Sequence, residues 1–273
     1  TLRDDGDNAA LLRQAFMTQY HQGNIMEAAT LGRQMEQRNI STAFSAEPAT
    51  AIAIRDRDWQ AVIVLADIIR EHSPSPQLAA LIKAWALIAS GQGDAGITHL
   101  TETQDVDGSA ETRLAFYIEL HAAIMAEYLG HTDEATRRGL RLLETEMSPL
   151  AALHLAGLLT RNGEQEAAEK LVSHRLTDNF NRPIVDTLLS LEAQNSPPSL
   201  LTNMANGIVD FSLLAQGDLE KRTLAARLHF ARFLDSESEV ARLLLAQQQI
   251  KASNYEGAIE NLSAIKVDGF LGQ

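Results

Sequence analysis

The chain has 273 residues, of which 23 are basic and 36 acidic, giving a net charge of −13, and it contains no cysteine. The imbalance is spread along the chain, with 15 basic and 24 acidic residues in 1–175 and 8 and 12 in 176–273, so no basic stripe is on offer to nucleic acid or anionic lipid. Disulfides and thiolate metal sites are excluded, and a hydrophobic share of 45% with only 5% aromatics points to Ala- and Leu-packed helices rather than sheet. Thr1 to Asp7 carry neither an initiator Met nor an export signal, which reads as a trimmed start, and apolar runs such as Ala61 to Ala66 are too short to span a bilayer.

In chain order, Asn8 to Gln22 places Leu11, Leu12, Ala15 and Phe16 on helical spacing, and Gly23 breaks that helix so that Asn24 can cap the next. Ile25, Ala28, Ala29, Leu31, Gly32 and Met35 form the apolar face of this second helix. Further first helices of pairs are expected at Leu78 to Ser90, Arg113 to Leu129, Leu150 to Thr160, Leu200 to Gln216 and Val240 to Lys251. Pro48, Pro76, Pro149 and Pro183 fall where helices begin, the place where proline costs least, and Ser236 with Glu239 has capping-box spacing.

The turns repeat. Gly23-Asn24-Ile25-Met26-Glu27-Ala28, Gly163-Glu164-Gln165-Glu166-Ala167-Ala168 and Ser253-Asn254-Tyr255-Glu256-Gly257-Ala258 share one pattern, with looser copies at Arg57, Gly93, Gly130 and Gly217. The intervals are 34, 36, 37, 33, 54 and 36 residues. The long one has room for an odd helix at Pro183 to Glu192, stopped by Asn195-Ser196-Pro197-Pro198, which would bend the stack. The expected organisation is therefore five pairs in 1–175, a junction at 176–198 and two pairs in 199–273.

From Asn8 to Ile265 this pattern resembles the tetratricopeptide repeat family, which implies an all-α, right-handed α-α superhelix, a solenoid of about seven degenerate helix pairs. The family's small residue on the first helix is matched by Ala86, Ala123, Ala156 and Ala246, and that on the second by Ala28, Ala135, Ala168 and Ala258. Phe16, Thr50, Val62, Thr98 and Arg222 depart from it, and the repeat-end proline is kept at Pro74 and approximated at Pro149. Asp7 to Phe16 and Gly207 to Leu245 also resemble exported alphaproteobacterial members. That implies the periplasm or the membrane surface of a Gram-negative bacterium, the alternative being the cytoplasm.

The resemblance implies a protein-interaction scaffold that takes a peptide or helix of a partner in a concave groove; the alternative is a structural, self-assembling array in the envelope. Carried onto this sequence, the groove positions are Arg13, Met17, Tyr20, Lys83, Leu87, Tyr117, Leu120 and Ile124, flanked by His121 and Tyr128. The row continues to Glu127, Leu153 and Thr160, and it lacks the Lys and Asn clamp of the family's carboxylate-binding members. An enzyme is not expected, nor is a cofactor. Gly91-Gln92-Gly93-Asp94-Ala95-Gly96 fits the dinucleotide fingerprint by letters, but a helix rather than a strand precedes it. The eight histidines show no i, i+4 pair, and acid pairs such as Glu144 with Glu146 or Asp105 with Asp107 read as solvated surface.

Overall fold

The computed structural model describes residues 9–42, 44–72, 76–103, 112–175, 198–214, 221–236, 239–251 and 253–264. Among them the chain is all-α and holds no strand. The helices are α1 (Ala9–His21), α2 (Ile25–Gln37), α3 (Glu47–Arg55), α4 (Trp59–His72), α5 (Pro76–Ala89), α6 (Gly93–Glu102) and α7 (Thr112–Tyr128). They continue with α8 (Thr132–Arg141), α9 (Pro149–Arg161), α10 (Gln165–Arg175), α11 (Leu200–Leu214), α12 (Lys221–Leu234), α13 (Glu239–Lys251) and α14 (Tyr255–Ser263). No helix of the described residues is long and apolar enough to cross a membrane. The odd helix expected at 183–192, the turn at Gly217, Pro74 and the side chains of Arg222 and Glu239 lie outside the described residues.

Among the described residues one turn, used six times, joins a helix directly to the next. Gly23, Arg57, Gly91, Gly130, Gly163 and Ser253 all have positive φ, between 59° and 86°. At each, the N–H of the left-handed residue donates three residues back and the next N–H donates five back: Gly23 to Tyr20 (3.1 Å) and Asn24 to Gln19 (3.0 Å), or Gly163 to Thr160 (3.1 Å) and Glu164 to Leu159 (2.9 Å). This is the Schellman closure, which satisfies carbonyls left open at a helix end. The next helix starts at once, and α1 with α2, α3 with α4, α7 with α8, α9 with α10 and α13 with α14 pack as tight hairpins. The first five left-handed residues are spaced by 34, 34, 39 and 33 residues.

The third turn corrects the register. Gly91, with φ +84°, takes the left-handed place, while Gly93 opens α6. The small position on the second helix is therefore Gly96 rather than Thr98, and that on the first helix is Ala84 rather than Ala86. Five residues beyond the left-handed one stand Ala28, Val62, Gly96, Ala135, Ala168 and Ala258, all buried and each donating its N–H to the carbonyl of the residue just before the helix. The Asn24 side chain makes no cap: its amide donates instead to Gln19 Oε1 at 2.6 Å. Asp58 and Asn254 do cap, accepting from the N–H of Ala61 (3.1 Å) and Gly257 (3.2 Å). Pro48, Pro76 and Pro149 lie at helix starts as the sequence indicated.

The described residues fall into two compact units, one within 1–86 and 204–273 and the other within 87–203. The boundaries expected at 175 and 199 follow the spacing of turns, whereas these units follow packing. In the second unit α6 to α10 pack in succession, and α9 also reaches α7. In the first, α1 to α4 pack in succession, as do α12 to α14, and α12 lies against both α1 and α3. Late residues thus share a core with early ones: Ala226 joins Leu12, Phe16, Tyr20, Ala28 and Met35.

A buried polar triad fixes that contact. Arg227 and Glu47, both fully buried and 180 residues apart in sequence, pair through Arg227 Nη2 and Glu47 Oε1 at 2.8 Å, while the Tyr20 hydroxyl donates to Glu47 Oε2. Tyr20 stacks on Phe16 and Phe44 at 5.6 and 5.8 Å, and the Arg227 guanidinium lies 5.8 Å from the Phe44 ring. Burial and the neighbouring Glu47 charge hold the Tyr20 hydroxyl well above its ordinary pKa, so it stays a donor. Burial, the largest single effect, works against the charge on Arg227, but Glu47 and Tyr20 together more than offset it and the guanidinium holds its proton more tightly. Removing one member of a buried pair strands the other, so Arg227→Met is expected to cost about 3–5 kcal/mol in urea unfolding. Adding Glu47→Gln, which keeps an acceptor for Tyr20 but removes the stranded charge, is expected to recover part of that loss.

Candidate functional site

The residues that spacing and resemblance nominated are split between the units and are mostly occupied inside them. In the first unit, Tyr20 belongs to the buried triad and Met17 is half-buried against the same core. Arg13 is exposed, with Nε 3.3 Å from the Ile40 carbonyl it donates to, and Lys83 Nζ is held by both oxygens of Asp67 at 2.8 Å. In the second unit, Leu120 and His121 are fully buried and Ile124 nearly so. Tyr117 is buried with its ring edge against Phe116, and its hydroxyl donates to Ser148 Oγ at 3.0 Å. Ser148 in turn accepts from the Ala151 N–H and caps α9, so Tyr117 steadies a helix start. Leu87 is half-buried and Tyr128 exposed. Glu127 is buried and held by Arg161 and Asn162 at 2.8 and 2.9 Å.

A cleft of about 890 Å³ opens in the first unit between α1 and the pair α12 and α13, and of the nominated residues Met17 lines it. From α1 and its turn come Gln14, Met17, Thr18, His21 and Gln22; from α12, Ala225 and His229; from α13 and its turn, Leu245, Gln248, Gln249, Lys251 and Asn254. Five of these twelve are carboxamides, each able to donate and accept, Lys251 is the one formal cation, and none is acidic in a chain of net charge −13. Met17, Ala225 and Leu245 supply an apolar floor. Gln249 is steadied by Asn261, whose amide donates to Gln249 Oε1 at 2.9 Å, and Asn261 accepts from Arg232 at 2.9 Å.

The helical period explains the lining. Gln14, Met17, Thr18 and His21 are three and four apart on α1, and Leu245, Gln248 and Gln249 repeat this on α13, so each helix turns one stripe to the cleft. The run Gln247-Gln248-Gln249 was the sequence signal available, but a glutamine run is ordinary for a solvated helix face. That α1 meets α12, and shares a cleft with α13, depends on residues some 200 positions apart.

His229 forms one wall against the first turn. A Cβ at Gly23 would sit 2.4 Å from His229 Cγ, so the glycine is required there both by its φ of +76° and by the ring beside it. At Gly91, also at positive φ, nothing lies within 4 Å. Gly91→Ala is thus expected to cost only the conformational strain, about 1–2 kcal/mol, and Gly23→Ala about 1–3 kcal/mol more, as read from urea midpoints.

Burial lowers the His229 pKa to about 4, with the Arg232 charge adding to the effect and Glu260 opposing it. The folded ring is therefore neutral at neutral pH and binds its proton less readily than in the unfolded chain, whose ordinary value is 6.5. Its contribution to stability is full above that value and is lost as pH falls from 6.5 towards 4. A His229→Gln variant is expected to show a shallower fall of melting temperature across this window than the parent chain. No protein-family model matches the chain, and no curated protein matches it in sequence.

Proposed function

We propose that the protein is a tetratricopeptide-like repeat scaffold that holds an extended segment of a partner polypeptide in the cleft between α1, α12 and α13. The reading is carried by the lining of that cleft. An extended backbone presents N–H and C=O groups in alternation, and carboxamides at Gln14, Gln22, Gln248, Gln249 and Asn254 can answer both kinds. Met17 and Ala225 offer apolar contact between them, and Lys251 favours a segment that carries a carboxylate rather than an amine. The recurring helix pairs support the repeat class, since such arrays are rigid platforms whose surfaces bind polypeptides. A place in the bacterial envelope, implied by resemblance, belongs to the same proposal.

The test is selection of a displayed library of random peptides on the full chain, followed by affinity measurement of the enriched sequences. Gln14→Glu with Gln248→Glu replaces neutral donors by carboxylates on both walls and leaves the core untouched. The enriched peptides are expected to bind this variant at least tenfold more weakly, about 1.4 kcal/mol, with circular dichroism unchanged. Enriched peptides that bind the variant as well as the parent, or a library that yields none, would remove the cleft as the binding site.

A further inference from the structure

One wall of the cleft presents donors that no acceptor among the described residues answers. Gln249 and Asn254 have their side-chain oxygens engaged and their amide nitrogens not. The orientation is set by Arg232, whose guanidinium can only donate. It donates to Asn261 Oδ1 at 2.9 Å, so the buried Asn261 turns its nitrogen the other way. That nitrogen donates to the Gly257 carbonyl at 3.0 Å and to Gln249 Oε1 at 2.9 Å, and Gln249 Nε2 is left over. Asn254 Oδ1 is fixed in the same sense by the Gly257 N–H at 3.2 Å, which leaves its Nδ2.

Gly257 brings these two nitrogens together. A Cβ on it would stand 2.8 Å from Gln249 Nε2 and 2.9 Å from Asn254 Nδ2, so both gather about one spot that the glycine keeps open. Lys251 lines the same wall, is exposed and has no acidic partner among the described residues. Two amide N–H groups and an ammonium, in a cleft with no acidic lining residue, are matched by an anionic acceptor. We infer that Gln249, Lys251 and Asn254 form a subsite for a carboxylate side chain, Asp or Glu, of the segment held in the cleft. The subsite rests on the reading of the cleft as a polypeptide site, and it makes an acidic residue a condition of tight holding.

The probe is a displayed random-peptide library in two forms, identical except that the central residue is fixed as Glu in one and Lys in the other, selected on the full chain. The Glu form is expected to be enriched roughly tenfold over the Lys form. Gln249→Glu with Asn254→Asp keeps both engaged oxygens and replaces both free nitrogens by oxygen, so the preference is expected to reverse. Gln247→Glu with Ser263→Asp makes the same change of charge on exposed residues of α13 and α14 outside the cleft, and should leave the preference unchanged. Circular dichroism verifies that each variant is folded. Should the first double variant not fold, Lys251→Gln takes its place and is expected to narrow the preference roughly threefold. Equal enrichment of the two forms on the parent chain, a preference that survives Lys251→Gln intact, or a reversal by the outer variant as complete as that by the inner one overturns the subsite. Peptides enriched equally from both forms yet lost in Gln14→Glu with Gln248→Glu would leave the cleft a polypeptide site without the acid preference. If neither form is enriched, both readings fall.

Discussion

A helix can be followed at once by an antiparallel helix only if one residue adopts the left-handed conformation and the open carbonyls behind it find donors. Six turns meet this constraint with the same two backbone hydrogen bonds. Four use glycine, for which the conformation is free of steric cost, and Arg57 and Ser253 accept the strain that a Cβ brings. Because the bond pattern fixes where the second helix begins, it also fixes which residue meets the partner helix. That residue is small at five of the six turns and is valine at Val62.

Within the first unit the decisive contact is of another kind. Glu47 sits at the start of α3, where a carboxylate is favoured by the helix dipole, and it receives Arg227 and Tyr20 in full burial. Such a pair adds little net stability over an apolar packing, but a mispaired alternative would strand a charge. It therefore specifies that α12 lies on α1 and α3 and not elsewhere, and the cleft between α1, α12 and α13 follows from that placement.

The cleft is rich in carboxamides, free of acid and walled by a histidine kept neutral by burial, which suits a hydrogen-bonding strand of polypeptide. Of the nominated row of first-helix residues the cleft uses Met17, while Tyr117 and its neighbours chiefly serve packing and the cap of α9.

Helical periodicity, the turn residues and proline at helix starts are local, so the sequence by itself determined the all-α class and, among the described residues, most of the helices and the turns that join them. It misplaced one turn by two residues because Gly91 and Gly93 offer the same letter, and only the backbone bonds of Gly91 and Gln92 distinguish them. The residues of the candidate site were not legible in the same way. Gln14 and Gln248 look like any solvated helix surface, and Glu47 and Arg227 look like ordinary surface charges, until packing brings them within reach. Tertiary structure alone decided those contacts, because a pairing across 180 residues leaves no period in the chain; it depends on which apolar faces bury one another.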